Sequence, residues 1–205
     1  MKEWWAPSTY LPYSINEFCA AFWDRYPNSF SKHIVSEDVL ERRITDNTIF
    51  TKKLIVKQGS SILKRVPKWL SRMTEIRVVP VIEESLYDKR TQTLTTYTRN
   101  VAHLELFYLH ERVVYKEKDH GDHGNATEID RAVSLAFNSG KLSSIYEKVT
   151  LMGFKKSIAN TTKGLTEVLE MRFGARPHSD KMSERIKQKI LNSPVIQKIN
   201  CEKSA

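Results

Sequence analysis

The feature that most constrains this chain is its longest apolar-periodic stretch, residues 141–173. Ser139 and Gly140 stand where a helix should begin, Gly174 stands where one should stop, and Pro177 forbids continuation. The stretch predicts a helix of roughly nine turns, which needs a broad surface to lie along. At 100° per residue, Leu151, Phe154, Ile158, Leu165, Val168 and Leu169 share an arc of about 100°, which is a packing face. Lys141, Lys148, Lys155, Lys156 and Lys163 fall in a second arc, mixed with Ile145, Val149, Met152 and Ala159. Two readings of that mixed stripe stand side by side: a solvated face, or a surface for a ligand with an anionic head and an apolar body. A kink at Gly153 would rotate one half of the pattern against the other.

The surface to receive this helix lies upstream. From residue 34 to 114 the hydrophobic period shifts toward two, with turn residues at Asp46, Asn47 and 88–92. Strands are predicted at 34–44, 49–57, 76–87, 93–102, 104–115 and 127–137, joined mostly by short links into an antiparallel meander. In the last of these, Thr127, Ile129, Val133, Leu135 and Phe137 share one side with Arg131, which is read as snorkelling outward at a strand end. Residues 3–10, with Trp4, Trp5 and Tyr10, are compatible with an opening strand. Ser14 and Glu17 form a capping box, and Ile15, Phe18 and Phe22 follow at helical spacing, so a first helix is expected from 14 to 26, ending before Pro27. Strands followed by one long helix give an α+β class, with the helices on one face of a curved sheet.

One connection breaks the hairpin rhythm. Residues 59–74 carry Ile62, Leu63, Val66, Trp69 and Leu70 beside Lys64, Arg65, Lys68 and Arg72, with no acidic residue, while Pro67 prevents a long helix. Large apolar and basic side chains together suit a lid that inserts at an anionic bilayer surface. The alternative is that Trp69 packs back onto the domain.

At 205 residues and 40% hydrophobic, the chain is long enough to bury one core without staples. A net charge of +9 points to an anionic partner: nucleic acid, membrane surface or small molecule. Cys19 and Cys201, the only cysteines, make neither a disulfide framework nor a zinc pattern. Residues 1–7 form neither a signal h-region nor an Arg/Ser-rich transit peptide, so targeting is expected to depend on a partner. Asp119, His120, Asp122 and His123 offer metal-ligand chemistry but sit in a Gly-containing hairpin loop, and no metal or other cofactor is expected. No nucleophile, carboxylate pair or phosphate loop appears in a catalytic context, so the reading is non-enzymatic. A nucleic-acid-binding or adaptor module remains the alternative outside that class, although the sheet lacks an aromatic base-stacking pair.

At Ala21-Phe22-Trp23-Asp24-Arg25-Tyr26-Pro27-Asn28 and Ser31-Lys32-His33-Ile34-Val35-Ser36-Glu37-Asp38 the chain closely resembles the PRELI family of mitochondrial lipid-transfer proteins. The likeness continues through Pro67-Lys68-Trp69, Thr95 to Asn100, Thr127-Glu128-Ile129 and Lys163-Gly164, covering residues 1–172 as a lipid-transfer domain and leaving 173–205 as a basic tail. The resemblance implies a curved seven-stranded antiparallel sheet with helices over its concave face, enclosing a cavity for one phospholipid. It also implies the mitochondrial intermembrane space and a small helical partner of the twin Cys-x9-Cys type. The match at 31–38 looks most like the branch that carries phosphatidic acid to support cardiolipin synthesis, with phosphatidylserine as the alternative cargo. Carried over by residue, the head-group contacts would be Arg25, His33, a basic residue at Lys57 or Lys64, and the helix lysines Lys148, Lys155 and Lys163. The lid and membrane contacts would be Leu63, Val66, Pro67, Trp69 and Leu70. Arg25 stands at a helix end, where a cation is favoured. Exposed there it would contribute no more than about 1 kcal/mol, whereas turned inward it would reach a cavity.

For the lid, Trp69→Ala is expected to slow lipid transfer between vesicles while the melting temperature stays nearly unchanged. A stability loss of roughly 3 to 5 kcal/mol, the cost of truncating a buried Trp, would instead place Trp69 in the core.

Overall fold

The computed structural model describes residues 2–58, 76–119, 125–138 and 143–176. The 59–74 segment with Leu63, Lys64, Val66, Pro67, Trp69 and Leu70 lies outside the described residues, as do residues 120–124 and the chain beyond Arg176.

The two-residue period becomes one antiparallel sheet of β1 (Lys2–Trp5), β2 (Thr9–Leu11), β3 (Ile34–Ile44), β4 (Thr48–Gln58), β5 (Val78–Asp88), β6 (Thr93–Asn100), β7 (Phe107–Asp119) and β8 (Asn125–Phe137). Its order is β1-β8-β7-β6-β5-β4-β3, with β2 also paired to β8. The eight strands therefore fill seven positions, because β1 and β2 follow one another along the same edge of β8. The single opening strand expected over 3–10 is thus two strands. Between them, Pro7 offers no amide to the ladder, and the pairing resumes with Thr9 opposite Ile129. The strand after β6 starts at Phe107 rather than 104, since residues 101–106 form a turn in which His103 takes a left-handed backbone (φ 60°).

Helix α1 (Ile15–Phe22) starts as expected, with Ser14 and Glu17 exchanging the two capping hydrogen bonds. It ends four residues short of Tyr26. Asp24 N–H reaches the Ala21 carbonyl at 3.2 Å and Arg25 Nη1 donates to the Phe22 carbonyl at 3.0 Å, so its last acceptors are met without another turn. Helix α2 (Ser143–Phe173) runs unbroken through Gly153, and Gly174 follows with a left-handed backbone (φ 81°). The two helices lie on one face of the sheet, called here the inner face.

The core confirms the packing arc of α2. Leu165, Val168 and Leu169 are buried with Phe18 and Phe22 of α1, against Tyr115, Val113 and Ile129 of the sheet. The Phe18 and Tyr115 rings lie 4.6 Å apart between centroids. Further toward its start, α2 is less deeply seated, and Leu151, Phe154 and Ile158 are only half-buried.

The C-terminal half of α2 is held by polar clamps as well. Glu167 accepts from the Ser29 amide (3.0 Å) and hydroxyl (2.6 Å), Arg172 Nη2 meets Asp24 at 2.9 Å, and Arg176 pairs with Glu17. Gly164 permits the closest approach: a Cβ there would stand 2.5 Å from the Asn28 side-chain oxygen. Asn28 has little room to yield, since its amide group donates to the Arg25 carbonyl (2.7 Å) and accepts from the Phe30 amide (3.0 Å). Gly164→Ala is expected to destabilise the fold by about 1–3 kcal/mol in urea titrations, because overpacking outweighs the gain in helix propensity. In an Asn28→Ala background the same substitution should cost far less.

Candidate functional site

Alternation along β4 to β8 sends Ile55, Val81, Val113 and Val133 to the inner face, and in the same phase it sends Lys53, Glu83, Glu111 and Arg131 there too. Charges in the apolar phase of a strand are costly unless they find partners. Here they do. Lys53 Nζ donates to Glu37 and to the Trp23 carbonyl, both at 2.8 Å. Arg131 Nη1 meets Glu111 at 2.7 Å. Arg25, only 3% exposed, reaches down from the end of α1 and places Nη2 2.8 and 2.6 Å from the two oxygens of Glu83.

The sheet register links these pairs into a belt. Lys53 stands opposite Glu83, Glu83 opposite Thr98, and Thr98 opposite Glu111. The belt therefore crosses from β3 to β8 beneath the helices. Arg25, Lys57, Glu83, Thr98, Glu111 and Arg131 all border one cavity of about 50 Å³, roofed by Phe154, Ser157, Ile158 and Thr161 of α2.

The contact between Arg25 and Glu83 is not a parallel fork, because one guanidinium nitrogen serves both carboxylate oxygens. Nη1 is turned to the Phe22 carbonyl, and the guanidinium carbon lies 4.2 Å from the Phe22 ring centroid and 4.6 Å from that of Tyr26. Burial opposes the charged form of Glu83, but Arg25, with Lys57 and Lys53 beyond it, outweighs that effect and holds the carboxyl below its usual value. Burial pushes the Tyr115 phenol up to about 12, so it stays protonated on the cavity wall. His33 is shifted down, first by burial and then by the Lys57 cation, and is a neutral imidazole at pH 7.

The residues expected to contact a head group divide accordingly. Arg25 and Lys57 line the cavity, and His33 stands beside Lys57. Lys148, Lys155 and Lys163 are exposed on α2 and do not line it: the Lys155 ammonium lies 5.2 Å from the Trp4 ring centroid and that of Lys163 5.8 Å from the Phe30 centroid. Arg131 corrects the sequence reading. It is 7% exposed and paired inward with Glu111, because the β8 register sets it opposite Val113 in mid-sheet, where no side chain can snorkel to water. Glu83, Glu111 and Lys53 were not anticipated. Their legible signal was phase: each lies two residues from an inward apolar residue of its strand.

Residues 16–175 match the model of the PRELI-like family. The chain belongs to that family. PRELI domain-containing protein 1, mitochondrial, of Bos taurus is 32% identical over 181 residues, covering 86% of this chain and 80% of that protein. The ups1 homolog of Schizosaccharomyces pombe is 30% identical over 80% of this chain and 94% of its own length. Among solved structures, TTHA0849 of Thermus thermophilus superposes with a TM-score of 0.58 over 84% of this chain and 99% of its own, at 13% identity, which shows a shared helix-grip architecture.

For a PRELI-like chain built this way, Arg25 carries more than a helix-end charge. Arg25→Ala is expected to cost about 3–5 kcal/mol at neutral pH, since it strands the buried Glu83 carboxylate. Glu83 has a depressed pKa in the fold, so its stabilising contribution is present above the unfolded value and is lost as pH falls through the folded one. The gap between wild type and variant in urea titrations should therefore be widest near pH 7 and narrow in acid.

Proposed function

We infer that this protein carries phosphatidic acid between the outer and inner mitochondrial membranes, within the intermembrane space, and so supports cardiolipin synthesis. The observation that carries the reading is Arg25: a guanidinium held on a cavity wall under an amphipathic helix, in a chain that belongs to the PRELI-like family. A guanidinium matches the phosphate geometry, and Lys57 adds a second cation on the same wall. The protein acts without catalysis, by enclosing the lipid. A small twin Cys-x9-Cys protein is the partner assigned to it.

At about 50 Å³ the cavity is far below the 300–1,000 Å³ typical of ligand pockets, so loading requires the inner face and α2 to part. The half-buried stretch of α2 at Leu151, Phe154 and Ile158 is the part that lifts, because the C-terminal side is pinned by Glu167, Arg172 and Arg176. Lys148, Lys155 and Lys163 then serve at the opened rim, where an anionic head group or bilayer meets them first. The apolar and basic segment 59–74 is assigned to the bilayer contact.

Transfer between vesicles of fluorescent phosphatidic acid, phosphatidylserine and phosphatidylcholine, with and without the partner, tests this reading. Phosphatidic acid should move fastest, and the Lys155→Glu, Lys163→Glu double variant should lose most of that rate at unchanged melting temperature. Faster movement of phosphatidylserine would reassign the cargo, and no movement of any lipid would refute the transfer function.

A further inference from the structure

Glu83 has no evident reason to be where it is if the site exists only to bind an anion. A carboxylate on the wall of an anion site competes with the ligand for the same guanidinium. It sits at full hydrogen-bond distance from Arg25, 8% exposed, when an apolar residue in that strand phase would pack against α1 at less cost. Directly across the ladder lies Lys53, and Lys57, further along β4, borders the same cavity. Glu83 thus has cations on two sides: Arg25 above it, and in the sheet Lys57 and, beyond it, Lys53, which also holds Glu37 and the Trp23 carbonyl.

We propose that Glu83 is the resident counter-anion of the head-group site: an entering phosphate monoester takes Arg25 from it, and Glu83 turns to the lysines of β4. This rests on the reading of the protein as a carrier of an anionic phospholipid. The exchange answers a requirement of any shuttle. An unpaired buried guanidinium would destabilise the empty protein and would hold phosphate too firmly to release it. With Glu83 present, one anion replaces another at Arg25, the displaced carboxylate is answered by the further cation Lys57, and loading and unloading remain close in free energy. The geometry suits replacement, because Nη2 alone carries the Glu83 contact and Nη1 remains fixed to the Phe22 carbonyl. The guanidinium keeps its place while its anion changes. The belt supplies a contrast as well: Glu111 and Arg131 are both strand residues on facing strands, whereas Arg25 alone comes from outside the sheet, at the side from which a ligand would displace Glu83.

The test uses the full-length protein and its Glu83→Gln variant, titrated with dioctanoyl phosphatidic acid, dioctanoylglycerol and inorganic phosphate, and read by melting temperature and by equilibrium binding. Without ligand the variant should melt lower than wild type. Dioctanoyl phosphatidic acid should raise its melting temperature more than that of wild type and bind it roughly tenfold tighter or more, while vesicle-to-vesicle transfer slows because release slows. Dioctanoylglycerol should not discriminate between the two proteins. A smaller gain with inorganic phosphate in the same direction would assign the exchange to the phosphate itself. Should Glu83→Gln not fold, Glu83→Asp, one methylene short of Arg25, should show the same direction of change. If wild type binds phosphatidic acid and the variant binds it equally or more weakly, the counter-anion role is wrong and the carrier reading stands. If dioctanoylglycerol gains as much as phosphatidic acid, the effect is packing and the role is again wrong. If wild type responds to neither phosphatidic acid nor phosphate, both ideas fall.

Discussion

The ion pair between Arg25 and Glu83 joins the parts of this molecule that the chain itself leaves far apart. Glu83 belongs to the middle of the sheet, and Arg25 to the short segment that leaves α1. Their contact fixes the angle at which that segment departs, and from it the positions of Asn28 and Ser29 follow, because Asn28 bonds the Arg25 carbonyl and Ser29 bonds Glu167. Gly164 of α2 then packs on Asn28. A single buried charge contact thus sets the seat of the long helix, and it does so from the wall of the cavity that the helix covers.

That arrangement puts a buried ion pair on the wall of the cavity. Buried ion pairs are rarely the most stabilising way to fill a core, since desolvation offsets most of their attraction. The belt across β3 to β8 is a set of such pairs, Lys53 with Glu37, Arg25 with Glu83 and Arg131 with Glu111, each charge answered by an opposite one under the helices. The apolar cluster around Phe18, Phe22, Tyr115 and Leu169 supplies the stabilisation, and it lies mainly under α1 and the second half of α2. The middle of α2, where Phe154, Ser157, Ile158 and Thr161 border the cavity, is only half-buried. One continuous helix is therefore deeply seated at Leu165, Val168 and Leu169 and less so at Leu151, Phe154 and Ile158.

Much of the architecture could be read from local pattern because local pattern decides it. The capping box at Ser14 and Glu17, the strand 34–44, the hairpin turns at Asp46 and 88–92, and the apolar arc from Leu151 to Leu169 all rest on interactions within a few residues or on a regular period. The end of α1 was misread because its last carbonyls are satisfied by the side chains of Arg172, Arg25 and Lys53 and by the Asp24 amide rather than by another turn. The opening strand was read as one because nothing in residues 3–10 says that both halves will share the same neighbour, β8.

The amino-acid sequence by itself determined the α+β class, the helix that must cover the sheet, the family, and Arg25 as a cation just past the end of the first helix. Tertiary structure alone decided which charges meet. Arg25 and Glu83 are 58 positions apart, and Arg131 meets Glu111 only because the β7–β8 register brings their side chains together on the inner face. The same holds for the lysines of α2. Helical phase placed them on one stripe, but whether that stripe faces water or the cavity depends on how the helix is rolled about its axis. That roll is set by Gly164, Glu167 and Arg172 docking onto α1 and its loop, and it turns Lys148, Lys155 and Lys163 outward. Period fixes the relative angles of side chains on one element; only contacts between elements fix what each angle points at.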